Sequence, residues 1–174
     1  MYKRKLVYIV GFMGSGKSTA GRKIASALGW NFIDLDRKIE ERAGKTIPLI
    51  FAQEGEDHFR IIESEVLKSI DNLSETIIST GGGTPCHGDN MEFMVDTGLT
   101  IYLKLTPGQI TERLLNSSGE RPLLKNVPDD KLIFFIEEKL AFREKWYSKA
   151  KITTPGPETD IEFLCSAIRN EFPD

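Results

Sequence analysis

Eight consecutive residues, Gly11 to Ser18 in GFMGSGKS, set glycines, a lysine and a hydroxyl at the spacing G-x-x-x-x-G-K-[ST]. Glycines at such positions let backbone N–H groups turn inward onto phosphate oxygens. A helix beginning just after them adds partial positive charge. Lys17 can then reach the β- and γ-phosphates of a nucleoside triphosphate, and the Ser18 hydroxyl can ligate Mg2+. Gly14, Ser15, Gly16 and Thr19 complete the expected ATP cradle. A dinucleotide fingerprint would need glycine or a close substitute at position 19, where Thr19 stands. The predicted ligand is therefore ATP with Mg2+.

A second group of residues supplies charge. In NFIDLD, Asp34 and Asp36 lie two apart at the end of an apolar run; on a strand they project to the same side. Two adjacent carboxylates repel, so they are expected to serve a metal or a polar ligand. Farther on, the apolar stripe Phe59, Ile62, Val66 and Ile70 includes Glu63, which needs a partner on a buried face; Arg60, three residues earlier, is within reach. Arg143 continues the stripe Leu132, Ile136 and Leu140 in the same way. Each arginine alone could equally snorkel to water or form a structural ion pair. Two together suit an anionic acceptor, because guanidinium groups match carboxylates bidentately. Gly81, Gly82 and Gly83 in STGGGTP allow close backbone approach to a ligand, or only a tight turn. Arg121, in the polar stretch NSSGERPLLKN, suits a mobile lid that brings an arginine over the phosphates, although an ordinary surface loop reads the same way.

Strands are predicted at Leu6–Val10, Asn31–Leu35, Thr76–Ser79 and Leu99–Leu105, with a weak fifth near Lys151–Thr153. Helices are predicted over Lys17–Leu28, Asp36–Ala43, Glu56–Ile70, Pro107–Asn116, Asp129–Lys149 and Thr159–Phe172. Thr106 and Pro107 form a helix-start signal. This alternation implies an α/β fold with a parallel sheet covered on both faces and ligands beyond the carboxyl ends of the strands.

At 174 residues, 40% hydrophobic and 28% charged, the chain suits one globular domain. A net charge of −3 gives no sign of nucleic-acid or acidic-membrane binding. The apolar run after the basic N-terminal cluster is too short for a secretory signal, and no stretch is long enough to span a membrane. Cys86 and Cys165 lack metal-type spacing, which fits a reduced, cytoplasmic setting. The guanine-reading Asn-Lys-x-Asp motif is absent, and the chain is too short for a transporter ATPase domain, which leaves a small-molecule or nucleotide kinase.

In order along the chain, GFMGSGKST, the DLD pair, FRIIE, GGG, RPLL and the Arg143 helix closely resemble the shikimate kinase family. The resemblance spans nearly all of residues 1–174 as a single kinase domain. It implies ATP-dependent phosphorylation of the 3-hydroxyl of shikimate, in aromatic amino-acid biosynthesis, by a monomer. It also implies a three-layer αβα P-loop fold with a five-stranded parallel sheet of order 2-3-1-4-5, a substrate-binding helical segment near 34–62 and a lid near 115–127. By the same resemblance Asp34 serves Mg2+ with Ser18, and Asp36 binds the shikimate hydroxyls, either as general base or only orienting them. Arg60 and Arg143 hold the carboxylate beside Gly81–Gly83, Glu63 orients Arg60, and Arg121 meets the transferring phosphoryl group. Lys17, Asp36 and Arg121 are the expected catalytic set. Arg113 and a Thr154–Pro155 turn lie on the adenine side. Pro48 departs from the family pattern, TPCHGDN has no assigned role, and His58 and His87 are expected at the surface. The rivals are a gluconate or nucleoside-monophosphate kinase of the same fold and a nucleotide-sensing module without acceptor chemistry.

Overall fold

The computed structural model describes residues 4–117 and 127–173. Among the described residues five strands alternate with seven helices. β1 (Leu6–Val10) runs into α1 (Lys17–Leu28), then β2 (Asn31–Asp34), α2 (Leu35–Ala43) and α3 (Ile47–Ser69) follow. The chain continues through β3 (Thr76–Ser79), α4 (Asn90–Thr97), β4 (Leu99–Lys104), α5 (Pro107–Leu115), α6 (Leu132–Tyr147), β5 (Ile152–Pro155) and α7 (Ile161–Glu171). The strands form one parallel sheet of order β2-β3-β1-β4-β5, the expected topology.

All five residues of the central strand β1 are buried, as a parallel sheet covered on both faces requires. Leu6, Tyr8 and Val10 enter one apolar cluster with Leu35, Ile39, Phe59, Val66 and Ile136, from α2, α3 and α6. Val7 and Ile9 face the opposite way, against Ile24, Leu164 and Ile168 of α1 and α7. This period-two partition places a packed layer on each side. Local signals fix several helix ends. Thr106 and Gln109 close a reciprocal capping box on α5, at 3.2 and 3.0 Å. Asp160 caps α7 by accepting from the Phe163 N–H at 2.9 Å.

The structure differs from the expected elements in three places. The helix predicted from Glu56 begins nine residues earlier, at Ile47, with Pro48 in its first turn, and is broken at Gly55, whose φ of 83° and ψ of 172° are non-helical. α4, only eight residues long, was not predicted at all. The predicted 129–149 helix opens as a 3-10 turn, Asp129–Lys131, before α6 proper. Among the described residues no helix is long and apolar enough to cross a membrane.

Candidate active site

The loop between β1 and α1 lies at the carboxyl end of the central strand. Gly16 takes φ 92°, the left-handed conformation that lets the chain turn directly into α1. Gly11 is confined differently: a Cβ there would lie 2.8 Å from the Leu103 carbonyl oxygen. Lys17 is buried, and its ammonium donates to the Phe12 carbonyl at 2.9 Å, across the mouth of the loop. Ser18 Oγ donates to Asp34 Oδ2 at 2.7 Å and lies 3.0 Å from Ser79 Oγ. Three oxygen donors thus converge beside the loop. Arg113 bridges the Gly14 carbonyl, at 3.3 Å, and the Pro157 carbonyl after β5. A cavity of about 360 Å3 is lined by Gly14, Gly16, Lys17, Ser18, Thr19 and Arg113, among others. Ser15 is buried behind it and its hydroxyl finds no partner among the described residues.

Asp34 and Asp36 do not share a strand face. β2 ends at Asp34, which caps α2 by accepting from the Arg37 N–H at 3.4 Å, and Asp36 stands in the first helical turn. Two residues along a helix turn roughly 200° rather than one full pleat, so helix entry, not strand period, brings both carboxylates to the cavity. Burial, reinforced by the neighbouring Asp34 charge and opposed by Lys17, pushes the Asp36 carboxyl up to about 6.

A second cavity, of about 680 Å3, opens on the other side of Asp36. Four arginines line it: Arg60 and Arg143 beside the three glycines, and Arg22 and Arg37, of which Arg37 pairs with Glu41 and Arg22 lies over the Phe32 ring. Arg60 Nη1 donates to Glu63 Oε2 at 2.8 Å and Nη2 to Glu56 Oε1 at 3.1 Å. Burial works against the Arg60 charge, but Glu63 and Glu56 outweigh it and raise its pKa. Arg143 is only 8% exposed; its guanidinium sits 5.1 Å from the centre of the Phe12 ring, and among the described residues its Nη1 has no hydrogen-bond partner. A buried cation with an unmet donor is costly unless an anion completes it. Met13, Phe51 and Phe59 supply apolar lining.

Between Arg60 and Arg143 runs the Gly81–Gly83 backbone. A Cβ on Gly83 would lie 2.6 Å from Arg60 Nη2, and one on Gly82 would lie 3.0 Å from the Met13 nitrogen and 3.4 Å from Arg143 Nη1. The chain does turn tightly here, the Thr84 N–H donating to the Gly81 carbonyl at 3.2 Å, but none of the three has a positive φ, so it is the close approach that calls for glycine. The Tyr147 hydroxyl donates to the Gly82 carbonyl and holds that peptide in place. Met13, Asp34, Asp36, Gly81 and Gly82 line both cavities, so the phosphate cradle and the cationic pocket share a wall.

The predicted residues Lys17, Ser18, Asp34, Asp36, Arg60, Gly81, Gly82, Gly83 and Arg143 therefore converge on one region, and Arg113 flanks the phosphate loop. Arg121 and residues 118–126 of the expected lid lie outside the described residues. Thr154 and Pro155 end β5 rather than forming a turn; the carbonyl that Arg113 meets belongs to Pro157. His58 is exposed, beside Glu54, whereas His87 is half-buried rather than at the surface, and burial lowers its pKa. Ser79, Thr84 and Tyr147 went unrecognised in the sequence. Only Ser79 carried a usable signal, since it ends β3 level with Asp34 in the adjacent strand.

A family model described as shikimate kinase matches residues 13–169. The shikimate kinase of Phocaeicola vulgatus is 45% identical over 145 residues, covering 83% of each chain. The crystal structure of shikimate kinase from Bacteroides thetaiotaomicron superposes with a TM-score of 0.87 at 37% identity, over 95% of this chain and 97% of that one. Shikimate kinase from Acinetobacter baumannii, solved in complex with shikimate, gives a TM-score of 0.82 at 33% identity, over 97% and 93% of the two chains.

Proposed function

This chain belongs to the shikimate kinase family, and from that premise we propose that it transfers the γ-phosphoryl group of ATP to the 3-hydroxyl of shikimate. The product is shikimate 3-phosphate, on the route to aromatic amino acids. The observation that carries this reading is the shared wall: a cavity into which Arg60 and Arg143 face beside the three glycines adjoins the phosphate cradle across Asp36 and Gly82. A small carboxylate-bearing polyol fits there, with its anion on Arg60 and Arg143 and its hydroxyls toward Asp36.

In the reaction, the acceptor oxygen forms a bond to the γ-phosphorus while the bond to the β–γ bridging oxygen breaks, and ADP leaves. Little covalent chemistry is asked of the protein; position and charge carry the rate. Lys17 holds the γ-phosphate and offsets its charge. Asp36 receives the hydroxyl's hydrogen bond and takes its proton as the new bond forms, a role supported by a carboxyl poised at about 6. Glu63 keeps the Arg60 fork aimed at the acceptor carboxylate, supported by the 2.8 Å contact. Ser18, Asp34 and Ser79 offer the hard oxygen donors that suit Mg2+. When bound there, Mg2+ would offset charge on the β- and γ-phosphates. Arg121 is assigned the transferring phosphoryl group and Arg113 the nucleotide side. The chain is read as one domain and a monomer acting on small molecules in the cytoplasm.

ADP release with ATP and Mg2+ tests the assignment, comparing shikimate, gluconate, AMP and no acceptor. Release that depends on shikimate alone supports it. Equal release in all four would make the protein an ATPase or a sensor and leave the arginine pocket without its assigned role.

A further inference from the structure

The segment after the three glycines, TPCHGDN, takes no part in the mechanism above, yet two of its residues are wholly buried. Thr84 and Asn90 are both 0% exposed, next to Glu63 at 1%. Thr84 Oγ1 donates to Glu63 Oε1 at 2.6 Å, leaving Glu63 Oε2 to accept from Arg60 at 2.8 Å. Asn90 Nδ2 donates to the Thr84 carbonyl at 2.9 Å, and Asn90 Oδ1 accepts from Ser64 Oγ at 2.8 Å. A chain of hydrogen bonds thus runs from Ser64 through Asn90 and Thr84 to Glu63 and ends on Arg60. The Thr84 N–H also donates to the Gly81 carbonyl at 3.2 Å, so the same residue ties down the glycine backbone against which Arg60 packs.

We propose that Thr84, held by Asn90, is a positioning residue for the acceptor's anion: it fixes the Glu63 carboxylate in the rotamer that aims Arg60 into the cavity. This rests on the assignment of Arg60 to the acceptor carboxylate. A carboxylate has two oxygens, and if only Oε2 were bonded, Glu63 could swing about its terminal torsion and carry Arg60 with it. Thr84 occupies the second oxygen. The orientation of the guanidinium is thereby set before any ligand arrives, which lowers the ordering cost of binding. Removing the hydroxyl alone leaves a buried carboxylate oxygen without a donor, and Glu63 then turns to find one.

Because Arg60 grips a part of the acceptor remote from the reacting hydroxyl, its contact is the same in ground and transition states. Losing its aim therefore raises KM for shikimate and leaves kcat in place. Steady-state kinetics of Thr84→Val, Thr84→Ser and Thr84→Ala distinguish this from a packing role. T84V is expected to raise KM for shikimate about tenfold, the change that loss of one hydrogen bond to a charged group brings, with kcat and KM for ATP within about twofold. T84S, which keeps the hydroxyl but not the methyl, is expected to restore KM, and T84A to behave as T84V. Should T84V not fold, the T84A and T84S pair still isolates the hydroxyl. A KM for shikimate unchanged in T84A and T84V, or a fall in kcat with KM unchanged, would overturn the proposal and leave Thr84 a packing residue. Absence of shikimate-dependent turnover in the unaltered protein would instead fault the assigned reaction.

Discussion

At the scale of single residues, the site is built from charges that are expensive to hold and useful for that reason. Asp36 is the clearest case. Its carboxyl is raised from 3.8 to about 6, so the folded protein holds this proton more tightly than the unfolded chain does. Ionising it therefore opposes folding progressively between about pH 4 and 6 and by a constant amount above, at most ~3 kcal/mol. Asp36→Asn is expected to cut kcat at least 10²-fold while stabilising the protein by ~1–3 kcal/mol at pH 8; denaturant melts at pH 8 and pH 4 should show the gain vanish at the acid end. In the unaltered enzyme, kcat/KM for shikimate should fall below about pH 6, as Asp36 becomes protonated and loses its acceptor function. Arg143 follows the same logic. Arg143→Met removes a buried guanidinium with an unmet donor, so stability should hold or rise, while KM for shikimate climbs on the order of 10²-fold.

Among elements, the strands and the long helices were legible because their patterns are strong. β1 is an unbroken apolar run ending in the phosphate loop, and Thr106-Pro107 announces α5 without ambiguity. The first half of α3 was hidden. Its apolar residues, IPLIF, are nearly contiguous and carry no helical period, and Gly55 cuts them from the readable stripe that follows. α4 is too short to display a period. The site was readable where motif and periodicity named a residue, as with Lys17, Arg60 and Arg143. It was not readable where function depends on tertiary approach, as with Tyr147 reaching Gly82 or Thr84 reaching Glu63. Gly55 also yields a prediction. Its φ of 83° and ψ of 172° belong to a region that only glycine occupies without strain, although a Cβ there would meet nothing within 4 Å. Gly55→Ala is expected to cost ~1–3 kcal/mol and lower the melting temperature by several degrees. Since Ile47, Pro48 and Phe51 line the acceptor cavity, KM for shikimate should rise while KM for ATP stays put.

For the whole molecule, the sheet's carboxyl edge gathers two cavities with a common wall. Filling either should stabilise the fold: ligand at about 100 times its Kd adds ~2.7 kcal/mol. Lys17→Met is expected to abolish the thermal shift given by Mg2+ and ATP and to preserve the shift given by shikimate; loss of both would mean the cavities are not separable binding sites. The break at Gly55 matters at this scale as well. C-terminal to it, α3 is anchored in the core through Phe59, Val66 and Leu67 and carries Arg60 and Glu63. N-terminal to it, the stretch back to Gly44 is joined to the rest through two glycines with positive φ, neither crowded by a neighbour. Between them, Ile50 is wholly buried in the core and the Phe51 ring meets that of Phe59 at 4.7 Å, so packing as well as chain continuity holds the stretch in place. The stretch therefore has one face committed to the fold through Ile50 and another, Ile47, Pro48 and Phe51, turned to the cavity, so substitutions on the second face would resculpt one wall of the pocket and leave the two arginines and the phosphate loop as they stand.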